Sequence, residues 1–360
     1  MPLKMPSMSR DAKIKVKDVI KFLYQGILGR PADDEGLMAY TKLAIKKSLL
    51  QVIQSLLASD EYKRIVNTSV EVNISLPDLR SLYPDKYITE GNKVVFVAAD
   101  DTDFRFLEAL ISKHRYYDSF GVWTAEKDLD KLITASIVKG LLAKNCVELG
   151  CFSGPVLSIL KESGIDVCGI EISHLAFVIA HQNIYQHLVY GDILTHPDDK
   201  QYDVFLAMDV LEHLSPLDIN PVISKIARLI KPTGFAIINS PMYGLDRIFG
   251  EVFSPYLGEW QDKKDSTYWR NLHCDDKGWP MHGHLIWASP EWWERSFAKQ
   301  GLIRDVEIEC TLQDLLSGFF SRHAPARKSL FILRHKDFIP DIHLIQETLH
   351  KLILDDLSKY

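Results

Sequence analysis

Apolar positions recur at two different periods along this chain, and the change of period divides it. From Val16 to Ile65 they fall at helical spacing: Val19, Ile20, Leu23 and Tyr24, then Leu37 and Tyr40, then Leu49, Leu50, Ile53 and Leu57. Breaks at Gly29-Arg30-Pro31 and near Ser48, with a helix start at Ser59-Asp60-Glu61, predict an all-α N-terminal domain within residues 1–85. Residues 86–130 read as a connecting segment, with a strand at Lys93–Val97, a helix at Phe104–Ile111 and the stretch Tyr116–Trp123. A helix from Leu129 to Leu142 follows. From Asn145 the pattern alternates between strand and helix. The strands are Asn145–Leu149, Asp166–Glu171, His187–Tyr190, Tyr202–Met208 and Phe235–Asn239, and the clearest helix is Pro221–Ile230. This alternation predicts an α/β fold with a mostly parallel, doubly wound sheet over residues 131–337. A long insertion, residues 241–284, follows the fifth strand and reads as a lid. A helix at Pro290–Lys299 and strands at Leu302–Glu309 and Ser329–Arg334 complete the domain. Residues 338–360 hold a last amphipathic helix, Asp341–Leu357, with Ile342, Ile345, Leu349 and Leu352 on one face. That face packs on its own domain or forms a homodimer contact.

Composition refines this picture only at its edges. At 360 residues the chain is long enough for two domains, and 46% apolar with 25% charged residues is ordinary for a globular protein. A net charge of −6 argues against a nucleic-acid partner. The five cysteines (Cys146, Cys151, Cys168, Cys274 and Cys310) lack metal-type spacing and read as reduced, buried thiols. Met1–Lys17 has no apolar signal-peptide core and no run reaches membrane-spanning length, so a soluble cytoplasmic protein without a membrane partner is expected.

Chemistry enters at Val147-Glu148-Leu149-Gly150-Cys151-Phe152-Ser153-Gly154. An apolar strand ends in an acid and runs into a glycine-bearing turn, after which a helix opens with Val156, Leu157, Ile159 and Leu160. Glycines let backbone approach a ligand, and the helix start offers unpaired N–H groups. Glu171 follows Gly150 by about the twenty residues that place a ribose-binding acid after the next strand. A dinucleotide would use the same acid, but Glu148 would repel its pyrophosphate and attract a cationic ligand. Phe152 stands inside this turn, and as a non-glycine residue it should deny the turn left-handed freedom there.

The segment 130–335 resembles the class I S-adenosylmethionine-dependent methyltransferases, whose fold is Rossmann-like. The resemblance implies that Glu148, Gly150 and Gly154 hold the methionine part of the donor. It places the ribose at Glu171, the adenine at Asp192, and the transferred methyl near Asp209. Phe152, Ile172 and Ile193, beside these, complete the expected cofactor-binding set.

Methyl transfer from a sulfonium needs an aligned nucleophile and, for a hydroxyl acceptor, a base. Asp209, Glu212 and His213 stand at i, i+3, i+4, so one helical turn would point them the same way. His284, in Met281-His282-Gly283-His284, is a fourth partner, and His213, Asp209 and His284 are the expected catalytic residues. This arrangement resembles ubiquinone-pathway O-methyltransferases and small-RNA 2′-O-methyltransferases, which use a divalent metal. That resemblance implies a metal held by Asp209, Glu212, His213 and His284, with Mn²⁺, Fe²⁺ or Zn²⁺ suited better than Mg²⁺. The alternative is His213 or His284 as a metal-free base.

Six of seven tryptophans (Trp260, Trp269, Trp279, Trp287, Trp292 and Trp293) fall in or just after the insertion. They either stack on an acceptor or form the core of a subdomain. Ser321–Lys328, with Arg322, His323, Arg327 and Lys328, is a solvated turn or a grip on an acceptor's phosphate or carboxylate. Over residues 16–66, Phe22-Leu23-Tyr24, Leu28-Gly29-Arg30-Pro31, Asp34-Glu35-Gly36-Leu37 and Ser59-Asp60-Glu61-Tyr62 resemble a bacterial helical domain of unknown function found in surface and glycan-synthesis proteins. These readings point to O-methylation of a small molecule, sugar or glycan. RNA 2′-O-methylation is an alternative, although no basic stripe interleaved with aromatics supports it. A non-catalytic scaffold with a vestigial cofactor fold, docking a protein partner through its N-terminal helices, is the other.

Overall fold

A computed structural model of the chain describes residues 16–21, 23–24, 32–57, 76–91, 93–116, 126–252 and 271–359. The chain divides into two compact units, Met1–Asn73 and Ile74–Tyr360. In the first, helical residues 16–21 and 23–24 precede α1 (Asp34–Lys46) and α2 (Leu49–Leu57). Asp33 caps α1 by accepting from the Gly36 amide at 2.7 Å. Ile20, Tyr24, Val52 and Leu56 form the unit's core. The expected helix start at Ser59 and the motif at Leu28–Pro31 lie outside the described residues.

The second unit opens with a hairpin of β1 (Tyr87–Glu90) and β2 (Lys93–Val97), then α3 (Asp101–Lys113), which Asp100 and Asp103 begin as a capping box. α4 (Leu129–Gly140) leads into β3 (Asn145–Leu149), α5 (Pro155–Glu162), β4 (Asp166–Glu171), α6 (His174–Ile179), β5 (Leu188–Tyr190) and β6 (Tyr202–Met208). α7 (Ile219–Leu229) and β7 (Ile230–Asn239) follow. The insertion contributes a small hairpin, β8 (Leu245–Asp246) with β9 (Gly250–Glu251), and then β10 (Asn271–Cys274). The chain ends with α8 (Pro290–Lys299), β11 (Leu302–Arg304), α9 (Val306–Arg322), β12 (Leu330–His335) and α10 (Ile342–Leu357). Among the described residues no helix is long and apolar enough to cross a membrane.

Seven strands form one sheet in the order β11-β12-β7-β6-β3-β4-β5, the doubly wound, mostly parallel arrangement expected. β3 to β7 run parallel, and β12 is antiparallel to both of its neighbours. Val147, Val167, Val204, Phe205, Leu206, Ile237 and Ile238 are buried in the core, which explains why these strands are apolar on both faces.

The structure corrects four expectations. The segment read as a connector is half of a small sheet: β10 from the insertion pairs antiparallel with β2, Asn271 opposite Val97 and Cys274 opposite Val94. Phe96, Phe104, Leu107, Leu272, Trp279 and Leu285 form its core. The indole Nε1 of Trp279 donates to the Pro77 carbonyl at 2.9 Å, and its ring stacks on Tyr116 at 5.0 Å. Leu302–Glu309 is not one strand, because Asp305 accepts from the Ile308 amide and starts α9 after three strand residues. Ser321–Lys328 is accordingly the end of α9 and a short 3₁₀ turn. All five cysteines are free, and Cys310 is exposed. The last helix packs on its own domain: Leu349 lies against Gly140 of α4, and Ser136 donates to Asp356.

Candidate active site

The carboxyl ends of β3, β4, β6 and β7 converge, as ligand crevices in such sheets do. On the β3 side, Gly150 and Gly154 take left-handed φ values of 66° and 71°. A Cβ at Gly150 would meet Val210 at 2.5 Å, and one at Gly154 would meet Ile184 at 2.2 Å, so neither position accepts a side chain. Phe152 departs from expectation. It adopts φ 47° without being glycine, and its amide donates to Glu171 Oε2 at 2.8 Å. That bond helps to hold a conformation that is costly for an L-residue. Glu171 Oε1 accepts from the Ile172 and Ser173 amides, both at 2.7 Å, so the acid after β4 is fixed by the turn it serves.

Glu148, buried at the end of β3, has an Oε2 with no hydrogen-bond partner. Burial, and then the charge of Glu171, push its carboxyl up to about 8, while Arg327 and Lys131 oppose the shift. The Ser153 hydroxyl, fully buried in the same turn, is also unpartnered. Buried polar atoms without partners are rare and call for one. An orphaned acid with a raised pKa suits a cationic ligand such as a sulfonium or ammonium group. The residues therefore fit the methyl donor. Asp192 is exposed and accepts from the Leu194 amide at 2.8 Å; Ile172 is exposed, and the Ile193 side chain belongs to the core rather than the crevice.

Beyond β6 the chain makes a 3₁₀ turn, Leu211–His213, rather than a helical turn carrying Asp209, Glu212 and His213 together. Asp209 itself has φ 56°, which breaks the register and sends its carboxylate elsewhere. Its Oδ1 accepts from Asn239 at 2.6 Å and its Oδ2 from Arg327 at 2.7 Å. It does not join the cluster that Glu212, His213 and His284 form, whose ligand atoms lie within 4.8 Å of one another. Glu212 is fully buried, accepts from Ser240 at 3.0 Å through Oε2, and leaves Oε1 unpartnered. That oxygen lies 3.9 Å from Nε2 of both His213 and His284. Burial and the nearby Asp209 raise the Glu212 carboxyl well above its usual range.

The insertion places the histidines. Leu285 and Ile286 both donate to the Glu212 carbonyl, at 2.7 and 3.0 Å, which brings His284 beside the β6 turn. His213 Nδ1 lies 3.1 Å from the Gly283 carbonyl. A carbonyl only accepts, so Nδ1 donates there, and the Asp209 backbone bonds the ring as well. Burial lowers the pKa of His213, and that of His284 further, so both rings are neutral near pH 7. His284 packs against Trp287 at 4.7 Å. Trp279 and Trp293 are core residues, while Trp260 and Trp269 lie outside the described residues.

Sequence reasoning missed Asp130, Ser153, Asn239 and Ser240, and it offered Arg327 only as a surface turn or an acceptor grip. Asn239-Ser240 ends a parallel strand at the crevice, and that signal could have found both.

Sheet order, the left-handed glycines and the orphaned acid together define a class I S-adenosylmethionine-dependent methyltransferase domain, and this chain carries one. Residues 124–302 match the model of a family described as a methyltransferase domain. Two relatives are ubiquinone biosynthesis O-methyltransferases. That of Thiobacillus denitrificans is 27% identical over 107 residues, 28% of this chain and 45% of the relative. That of Rickettsia bellii is 26% identical over 132 residues, 34% of this chain and 52% of the relative. The chain spans about half the length of these curated relatives. A solved N1-methyltransferase of 1,6-didemethyltoxoflavin from Burkholderia thailandensis is similar with a TM-score of 0.42 at 13% identity, over 70% of this chain and 100% of that one.

Proposed function

We propose that the protein transfers a methyl group from S-adenosylmethionine to a hydroxyl of a small molecule, sugar or glycan. The observation that carries this reading is His213: a half-buried, neutral imidazole in the turn after β6 whose Nδ1 lies 3.1 Å from the Gly283 carbonyl. A neutral imidazole at that place can serve as a base. When bound, the donor supplies an electrophilic methyl on a cationic sulfur. Glu148 would pair with the donor's positive charge, and the fixed Glu171 would meet its ribose. His213 would take the acceptor's proton as the acceptor oxygen bonds the methyl carbon; the C–S bond would break with its electron pair staying on sulfur. Two relatives that are O-methyltransferases by name support oxygen as the acceptor atom.

A second reading of the same cluster is favoured by the unpartnered Glu212 Oε1 and His284 Nδ1. Glu212, His213 and His284 would hold a divalent ion of the Mn²⁺, Fe²⁺ or Zn²⁺ kind, which would polarise the acceptor hydroxyl. Asp209, held by Arg327, is left out of that set.

The test is calorimetric titration of the purified protein with S-adenosylmethionine and S-adenosylhomocysteine, followed by labelled-donor screening of phenolic, sugar and RNA acceptors. Saturable binding with label entering hydroxylated small molecules or glycans is expected. No binding would refute the reading, and label entering RNA alone would replace its acceptor class. Metal analysis, with binding repeated after chelation, decides between the two accounts of the cluster.

A further inference from the structure

Arg327 reaches the crevice from the turn between α9 and β12, outside the residues 124–302 that match the family. Its guanidinium makes a clasp. Nε lies 3.0 Å from Asp130 Oδ1 and Nη2 2.8 Å from Asp130 Oδ2, a fork onto one carboxylate, while Nη1 donates to Asp209 Oδ2 at 2.7 Å. Asp130 belongs to α4, before the first strand of the domain, and Asp209 follows β6, so the clasp joins two walls of the crevice. The side chain is largely buried, where charges are poorly screened. The acids around it are Asp130, Glu148, Asp209 and Glu212, with Lys131 the nearby second cation. Glu148 and Glu212 both feel its charge.

Resting on the methyl-donor reading above, we propose that Arg327 sets the charge selectivity of the crevice. By setting one positive charge against Asp130 and Asp209, it limits how strongly the site prefers the cationic donor to the neutral thioether product. Donor and product differ by one positive charge at sulfur and one methyl group. Without the clasp, one more unit of negative charge acts on that sulfur and the donor is held in excess of the product. With it, part of that preference is offset.

The experiment measures the ratio of dissociation constants, S-adenosylhomocysteine over S-adenosylmethionine, by calorimetry on the full chain. Arg327→Met should raise the ratio on the order of tenfold, the scale for unit charges ~10 Å apart at an effective dielectric of about 20. Arg327→Lys keeps the charge but loses the fork, and should return the ratio towards wild type. Asp130→Asn removes one anion and should lower it. A merely structural role predicts weaker binding of both ligands at an unchanged ratio, and that result overturns the proposal. So does a shift of the same sign in Arg327→Met and Asp130→Asn. If Arg327→Met does not fold, the Lys and Asn variants carry the test. Wild type binding neither ligand would refute the methyl-donor reading itself, whereas binding with an unresponsive ratio refutes only the role of Arg327.

Discussion

At the scale of single residues, the crevice depends on acids held in unlike states. Glu148 is buried without a partner and its carboxyl is pushed up to about 8. Donor binding favours the charged form, so affinity should be greatest above pH 8 and fall by up to about tenfold per pH unit below it. Calorimetry between pH 6 and 9 checks this, and Glu148→Gln should bind weakly with the slope removed. Stability responds in the opposite sense. The folded protein holds this proton more tightly than the unfolded chain, so the stabilisation is complete below the unfolded value near 4.5 and is lost as pH rises towards 8. His213 supplies the second test: His213→Asn should lower kcat by about 10²- to 10⁴-fold with donor affinity nearly unchanged. A comparable loss of donor binding would show that the ring builds the donor site instead.

At the scale of elements, the turn between β3 and α5 and the helix pair α4–α10 show what local sequence controls. Gly154→Ala meets both a left-handed φ and the side chain of Ile184, so it should cost more than about 1 kcal/mol in denaturant unfolding. Leu349→Ala, at the contact with Gly140, should cost roughly 2–5 kcal/mol. The strands of the main sheet were legible because burial on both faces makes them apolar throughout. The residues after β6 were not. Even spacing suggested a shared helical face for Asp209, Glu212 and His213, but a left-handed residue at Asp209 and a 3₁₀ turn separate them. Likewise, the strand read over Leu302–Glu309 stops at Arg304, whose guanidinium binds Asp246 at 2.7 Å and turns Glu309 inward.

At the scale of the molecule, the β1-β2-β10 sheet carries one wall of the site. Leu285 belongs to its core and its amide bonds the Glu212 carbonyl, so packing around Trp279 is linked to the position of His284. Trp279→Ala should cost roughly 3–5 kcal/mol of stability. It should also lower turnover while leaving S-adenosylhomocysteine binding near wild type, because Glu148, Gly150 and Glu171 stand on the main sheet. Equal losses of binding and turnover would refute that division.

The sequence by itself determined the parallel sheet, the glycine turn and the acids at its strand ends. These are written in periodicity and in short contiguous motifs, where neighbours in the chain are neighbours in space. Only the tertiary structure decided that β10 pairs with β2, that His213 and His284 meet over Glu212, and that Asp209 is claimed by an arginine 118 residues away. Such contacts form between segments with no common local pattern, and packing alone selects which charged side chains meet.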